Sequence, residues 1–408
     1  MGSSTDRKSV EIAAPAGNLE KLKFAVYYGA DSVYFGGEEL NLRAQSGNFS
    51  LAEIEEAIRF CRKHSVKTTF LLNSFLHEND IEPARRYITQ IRDLPVDTIM
   101  ISDPGMLLLL REEGIERDLS LSTQMSTLNH LSVNFWNSLG IKRIVLARET
   151  TLDEIRSIRK LTDAEIEIFV HGALCISYSG RCLLSRYLSG RDANQGDCSH
   201  PCRWRYALVE EKRPGSFLQI DEYARGTEIL SSKDLCLIEK IPEYIDAGVD
   251  AFKIEGRMKS LYYTANTTRI YRQAVNTYTR GGDYAKLLPL WKEELDLVSH
   301  RPYTDDLFNE FESEFTSLSY VKKVLFLGYR ISDGSTGNTV PVKTFNPVYA
   351  DERIEAIFPI GETITDDTVT VLEIDDSGEK VSMAQPGKVY HITFDKPVAD
   401  HAIFRRRL

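Results

Sequence analysis

The segment Glu167–Trp204, EIFVHGALCISYSGRCLLSRYLSGRDANQGDCSHPCRW, holds four of the chain's six cysteines. They stand as Cys175, six residues, Cys182, fifteen residues, Cys198, three residues and Cys202. Four soft thiolates so close in sequence are the donor set of zinc or of an iron–sulfur cluster. Structural zinc sites pair cysteines across about two to four residues, which only Cys198 and Cys202 do here, so the uneven spacing favours a cluster. Buried free thiols are the plain alternative, but a Gly-, Ser- and Arg-rich segment offers little apolar core. No secretory leader precedes Val10, so a reducing compartment is expected, which favours metal over disulfides. Cys61, in AIRFCRKH, reads as helix core. Cys236, in LSSKDLCLIEKI, fits the apolar face of a second helix and is the reserve ligand.

Such a segment needs a scaffold, and the chain around it alternates short apolar runs with amphipathic ones. Strands are expected at Val10–Ala14, Ser32–Phe35, Lys67–Leu72, Thr98–Ser102, Leu119–Ser122, Arg143–Ala147, Glu165–Val170 and Ala251–Ile254. Helices are expected at Leu19–Tyr28, Leu51–Lys63, Ile81–Leu94, Pro104–Glu113, Ser132–Leu139 and Leu152–Lys160. Near-continuous apolar strands alternating with helices predict a parallel sheet covered on its outside. Eight such units favour a closed (β/α)8 barrel over an open sheet. The phrases Tyr28-Gly29-Ala30-Asp31 and Asp246-Ala247-Gly248-Val249-Asp250 are helix stops leading back into the sheet.

A barrel of this kind carries its chemistry on the loops at the carboxyl ends of the strands. That rule selects the stretch from Gly36 to Arg43, then Asn73, Asp103, Gln124, Arg148, Glu149, His171, Glu255 and Arg257. Asp103, before Pro104, is most simply a helix cap, and Asn73 and Gln124 could serve only loop backbone. Arg148, His171, Glu255 and Arg257 follow buried strands directly, where a charge needs a partner or a ligand. The cysteine segment falls in the connection between the seventh and eighth strands, on the same face.

Beyond the barrel, Leu261–Thr279 and Asp283–Leu295 read as helices. From about Val321 the texture changes to short strands at Val324–Arg330, Thr339–Lys343, Arg353–Phe358, Thr368–Ile374 and Val389–Thr393, separated by Gly, Asp and Pro turns. That pattern predicts a small antiparallel β-barrel. The expected organisation is a disordered start over 1–9, a barrel over 10–300 with a cysteine-rich insertion at 171–216, a linker over 301–320 and a β-domain over 321–408. Arg405-Arg406-Arg407 reads as a solvated basic tail, with contact to RNA phosphate as the lesser reading.

With 408 residues, 42% of them apolar, the chain is ordinary globular material with enough length for one large core and a smaller one. No apolar run reaches the roughly 18 residues of a membrane span, so a cytoplasmic protein is expected. A net charge of −10 argues against general attraction to nucleic acid but leaves room for a local basic surface. Such a surface is offered by Arg181, Arg186, Arg191, Arg203, Arg205, Lys212 and Arg213, interleaved with Tyr178, Tyr187, Trp204 and Tyr206. The mix suits phosphate contact and stacking on a splayed base, or equally a solvated cap whose arginines balance a cluster's negative charge.

The run Glu167–Cys175, then Gly180-Arg181-Cys182-Leu183-Leu184-Ser185, resembles the signature of the collagenase-like peptidase family. Gly196-Asp197-Cys198 to Cys202-Arg203-Trp204, Ser232–Cys236 and Phe252–Ser260 are similar to it as well. The likeness runs from Val10 to about Tyr278 and is looser beyond. The resemblance implies prephenate-dependent hydroxylation more than proteolysis. Family members include tRNA uridine hydroxylases that make 5-hydroxyuridine at the wobble position, a ribosomal RNA cytidine hydroxylase and oxygen-independent hydroxylases of ubiquinone synthesis. It implies a [4Fe–4S] cluster on Cys175, Cys182, Cys198 and Cys202, and a paralogous subunit as a further partner besides tRNA and prephenate. Size and the β-domain place the chain nearest the tRNA uridine branch. It departs from the family at Tyr303-Thr304-Asp305-Asp306-Leu307, where many relatives read Tyr-Thr-Thr-Gly and an aromatic.

The residues themselves agree in part. No Gly-x-Ser-x-Gly elbow or His-Glu-x-x-His helix is present for a peptidase, and a Cys175–His171 pair would leave three cysteines unexplained. A dicarboxylate donor such as prephenate suits arginine forks, and Arg43, Arg148 and Arg257 sit on strand-end loops. Two of them are expected to clamp the donor while Glu255 or His171 moves protons. Asn73, Gln124, Glu149, Arg203 and Trp204 are expected to contact substrate. A hydroxylase of another RNA base or of a small aromatic or quinone precursor is the alternative, with a peptidase or a non-catalytic cluster-bearing scaffold as the lesser one.

Overall fold

The computed structural model describes residues 9–42, 47–175, 177–203, 221–223, 226–228, 233–305, 321–334, 337–359 and 367–408. Strands β1 (Glu11–Pro15), β2 (Ser32–Phe35), β3 (Lys67–Leu72), β4 (Thr98–Ile101), β5 (Asp118–Leu121), β6 (Ile141–Val145) and β7 (Glu165–Ala173) run parallel in chain order. The connection after β7 carries a small hairpin, β8 (Asp221–Tyr223) and β9 (Gly226–Glu228), and then β10 (Asp234–Cys236). Strand β11 (Ala251–Ile254) pairs in parallel with both β1 and β7 and closes the barrel. Most strands carry a buried, largely apolar stretch, and β2 is buried throughout.

Helices α1 (Leu19–Tyr27), α2 (Leu51–Lys63), α3 (Ile81–Ile91), α4 (Pro104–Glu112), α5 (His130–Ser138), α6 (Leu152–Arg159), α7 (Leu184–Ser189), α8 (Ile241–Asp246), α9 (Leu261–Thr279) and α10 (Tyr284–Asp296) complete the first unit. Local chemistry starts them: Ser50 with Glu53, and Thr151 with Glu154, form capping boxes that satisfy the first amides of α2 and α6. Asp103 caps α4 by accepting from the Gly105 amide at 2.6 Å, as its position before Pro104 predicts.

One irregularity decides what faces the barrel mouth. In the β7–β11 ladder Phe169 opposes Lys253, yet His171 opposes Ile254, so β7 carries an extra residue there. Side chains alternate along a strand, and an inserted residue moves everything beyond it to the opposite face.

Strand β12 (Tyr303–Thr304) pairs with β10. Asp305 follows it and pairs with Lys240 at 2.8 Å, while Asp306 and Leu307 lie outside the described residues. The C-terminal unit contains β13 (Val324–Arg330), β14 (Thr339–Thr344), β15 (Val348–Tyr349), β16 (Arg353–Ile357), β17 (Asp367–Asp376), β18 (Glu379–Val381), β19 (Met383–Ala384), β20 (Val389–Phe394) and β21 (Ile403–Arg407). The order β16-β21-β13-β14-β20-β17, with β16 also on β17, makes a closed antiparallel barrel around its own apolar core.

The tail reading of Arg405-Arg406-Arg407 is corrected, because these residues form β21. Arg405 is 1% exposed and gives both terminal nitrogens to Glu294 of α10 at 2.7 Å. Arg406 pairs with Glu352, and Arg407 with Glu293 and Glu355. Their charges are spent on carboxylates within the fold.

Candidate functional site

The strand ends and the cysteine-bearing loop enclose a cavity of about 180 Å³. Cys175, Cys182, Cys198 and Cys202 all line it, together with Asn73, Gln124, Arg148, Glu255 and Arg257. The loop is tied down at several points. Glu149 accepts from the Ser179 amide at 2.7 Å and from the Ser179 hydroxyl, holding the turn after Cys175. The Asn194 side chain donates to the Cys182 carbonyl at 3.1 Å. Gly196, at φ +89°, packs so closely on the loop after β2 that a Cβ there would stand 2.5 Å from the Asn41 carbonyl oxygen. Arg186 pairs with Asp192 at 2.9 Å and Arg191 with Asp197 at 2.6 Å, so these lip arginines are neutralised locally. Tyr178 and Tyr187 remain exposed on that lip.

The thiols are all reduced and partly accessible. The Cys175 sulfur and the Ser177 hydroxyl share a hydrogen bond at 2.9 Å, and the His200 amide donates to the Cys198 sulfur at 3.4 Å. Among the described residues, no three His, Cys, Asp or Glu side chains stand close enough to hold a single metal ion. Four thiolates around one zinc at about 2.3 Å would be such a group. Four thiols around one cavity wall also match the donor chemistry of a polynuclear cluster.

Arg148 is half-buried and lies with its guanidinium 4.2 Å from the centre of the Phe169 ring. Among the described residues it forms no ion pair, so its fork faces the cavity without a carboxylate. Arg257 is 3% exposed and donates to the side-chain oxygens of Asn41 at 3.2 Å and Asn48 at 3.0 Å. Gln124 accepts from Ser102 at 2.9 Å and Ser122 at 3.4 Å. Asn73 presents a buried amide oxygen with no hydrogen-bond partner among the described residues. Glu255 accepts at 3.5 Å from the Tyr34 hydroxyl, and its amide donates to the His171 carbonyl at 2.8 Å.

His171 itself lies elsewhere. The extra residue in β7 turns its ring outward, against Tyr263 and Tyr271 of α9 and against Tyr303. Its nitrogens lie 3.3 Å from the Tyr271 hydroxyl and 3.4 Å from that of Tyr303. Complete burial brings its pKa down to about 3, against the pull of Asp234, so the ring is neutral. His171, expected to move protons at the mouth, is therefore not among the residues lining the cavity. Glu149 is corrected from a substrate contact to the clamp on Ser179. Cys236 lies in β10 where a helix was expected, because Asp234 beside it is buried against Arg301 at 2.7 Å and the strand pairs with the end of β7. Its sulfur stands 3.8 Å from the Tyr271 hydroxyl, and burial raises the thiol to about 11, away from the mouth thiols. Cys61 is core, its thiol pushed up to about 12 by burial. Arg43, Trp204 and the Arg203 side chain lie outside the described residues.

The lining residues not selected from sequence include Tyr34, Phe169, Lys253 and His200. Lys253 carried a signal, being a charge in the otherwise apolar run Ala251–Ile254.

The model of peptidase family U32 matches residues 17–316. A tRNA hydroxylation protein P1 from Bacillus subtilis (strain 168) is 35% identical over 404 residues, covering 98% of this chain and 95% of that protein. A 23S rRNA 5-hydroxycytidine synthase from Escherichia coli (strain K12) is 38% identical, covering 79% of this chain and 48% of that protein. A collagenase from Porphyromonas gingivalis (strain ATCC BAA-308 / W83) is 34% identical, covering 73% of each.

Proposed function

The chain belongs to peptidase family U32, and on that premise we propose that it is an RNA hydroxylase that forms 5-hydroxyuridine at the tRNA wobble position with prephenate as oxygen donor. The relatives named for tRNA hydroxylation and for 5-hydroxycytidine synthesis support RNA hydroxylation as the reaction class. The observation that carries the reading is one cavity lined by four cysteines outside any disulfide and by the Arg148 fork, which has no ion pair among the described residues.

Cys175, Cys182, Cys198 and Cys202 would hold a [4Fe–4S] cluster, which when bound supplies one-electron redox chemistry. The chain's own groups do the rest. Arg148 offers a planar fork that matches a carboxylate in two parallel bonds. Gln124 and Asn73 offer amides to a base or to the donor's hydroxyl. Glu255 is the carboxylate placed to take a proton from the reacting carbon, and the Tyr34 hydroxyl touches it. The cavity is recessed beneath the cysteine loop, so the nucleotide reaches it unstacked, with the exposed Tyr178 and Tyr187 as stacking surfaces.

The collagenase-named relative keeps peptide hydrolysis as the competing activity. His171 packs against Tyr271 and is not among the residues lining the cavity with Cys175. Nucleoside analysis of tRNA from a deletion strain tests the proposal. Loss of 5-hydroxyuridine and its derivatives, restored by the wild-type gene and not by a Cys182→Ser/Cys198→Ser variant, is expected. An unchanged nucleoside profile overturns it.

A further inference from the structure

Branched apolar side chains ordinarily fill the interior of a (β/α)8 barrel. Here a row of alternating charges crosses it. Glu11 of β1 receives both terminal nitrogens of Arg143 from β6, at 2.6 and 2.9 Å. Arg143 also reaches Glu167 of β7 at 3.3 Å, and Glu167 accepts from the Lys253 ammonium of β11 at 2.7 Å. The Lys253 and Glu167 side chains are only 5% and 3% exposed. Burying such ions costs several kcal/mol each, and a well-packed apolar pair is often as stable or more so. Stability alone therefore gives no reason for the row.

Its upper end does. Lys253 lines the mouth cavity beside Tyr34, Met100 and Phe169. The ammonium lies 4.3 Å from the centre of the Tyr34 ring and 5.8 Å from that of Phe169. Phe169 is the same ring that carries the Arg148 guanidinium at 4.2 Å. Two cations thus flank one aromatic ring, Lys253 deep in the barrel and Arg148 on the loop above. An ammonium has three donors. Glu167 takes one, and a second meets only the weak thioether acceptor of Met100 at 3.7 Å.

We propose that Lys253 is a binding residue for an anionic small molecule, its ammonium holding one carboxylate at the bottom of the cavity while Arg148 holds another above. Glu167, Arg143 and Glu11 act as positioning residues: each charge fixes the next, and the carboxylate of Glu167 keeps the ammonium aimed. Two cations on either side of the Phe169 ring suit a dicarboxylate better than a monocarboxylate. This rests on the reading that the cavity takes a dicarboxylate donor.

Calorimetric titration of prephenate into the purified holoprotein tests it. Lys253→Met alone would strand Glu167, so the variant is Lys253→Met with Glu167→Gln, checked for folding by circular dichroism and melting. Binding should weaken by about tenfold or more, which is about 1.4 kcal/mol, and Lys253→Arg should restore most of it. The KM for tRNA should stay within about twofold, which a general structural defect would not spare. Glu167→Gln by itself, which leaves the ammonium but removes its anchor, should also weaken prephenate binding. It decides the matter should the double variant not fold. A folded double variant, or failing that Glu167→Gln, that binds prephenate like the wild type overturns the assignment of Lys253. A wild type that binds no prephenate overturns instead the donor reading, and with it the ligand assigned here.

Discussion

Arg148 and Arg257 line the same cavity yet are held in opposite ways, and their substitutions should separate accordingly. Arg148 makes no ion pair among the described residues and rests on Phe169. Arg148→Ala should lower kcat/KM for prephenate by roughly 10- to 150-fold, the worth of a charged hydrogen bond of about 1.5–3 kcal/mol, while stability moves by no more than about 0.5 kcal/mol. Arg257 is buried against Asn41 and Asn48, so Arg257→Ala should lower both activity and melting temperature. Equal stability losses in the two variants would contradict this division. His171 makes a pH prediction. Its folded pKa of about 3 lies below the unfolded value of about 6.5, so between the two the unfolded chain binds the extra proton. The stability held by the neutral ring is complete above pH 6.5 and is lost as pH falls toward 3. His171→Gln should flatten the decline in melting temperature across that window, and an unchanged slope would contradict the assignment. The four cysteines were legible from spacing because chain order alone put them at the mouth. His171 was misread because position after a strand says nothing about which face a residue takes once a bulge intervenes.

At the scale of elements, β7 is where the site is shaped. Phe169 faces inward before its extra residue, His171 faces outward beyond it, and Gly172 then lets the strand end pass beside β11. Gly172 sits at φ +108°, and a Cβ there would stand 2.3 Å from the Glu255 carbonyl oxygen. Gly172→Ala should therefore cost about 2 kcal/mol or more from the left-handed backbone alone, displace Glu255, and lower kcat together with the melting temperature. A variant with wild-type melting and turnover would show that the close approach is not required. The strands and helices were largely readable from period and punctuation, with Lys67–Leu72 and Leu51–Lys63 falling on their expected bounds. β10 was not, since Asp234-Leu235-Cys236 has too few residues to show a period and is fixed by pairing with distant partners in β7 and β12. The bulge is equally silent in sequence, because it is a property of two strands and not of one.

For the whole molecule, the two barrels are joined through β21. Arg405 is held by Glu294, Glu355 and the Tyr262 hydroxyl, a contact the sequence hid by placing it within three consecutive arginines at the chain end. Arg405→Met should cost about 3–5 kcal/mol in denaturant unfolding by stranding Glu294, and adding Glu294→Met should recover part of it. A single variant as stable as the wild type would mean that the two units do not depend on this contact. On the proposed reading the same distribution of charge bears on RNA: Arg186 and Arg191, paired to carboxylates, have less free charge to offer a phosphate. The most direct measurement is anaerobic incubation of the purified holoprotein with unmodified tRNA, with and without prephenate, followed by nucleoside mass spectrometry. The account predicts 5-hydroxyuridine without molecular oxygen, only when prephenate is present, and strongly reduced in Arg148→Ala. Product that forms without prephenate, or that survives unchanged in Arg148→Ala, would contradict it.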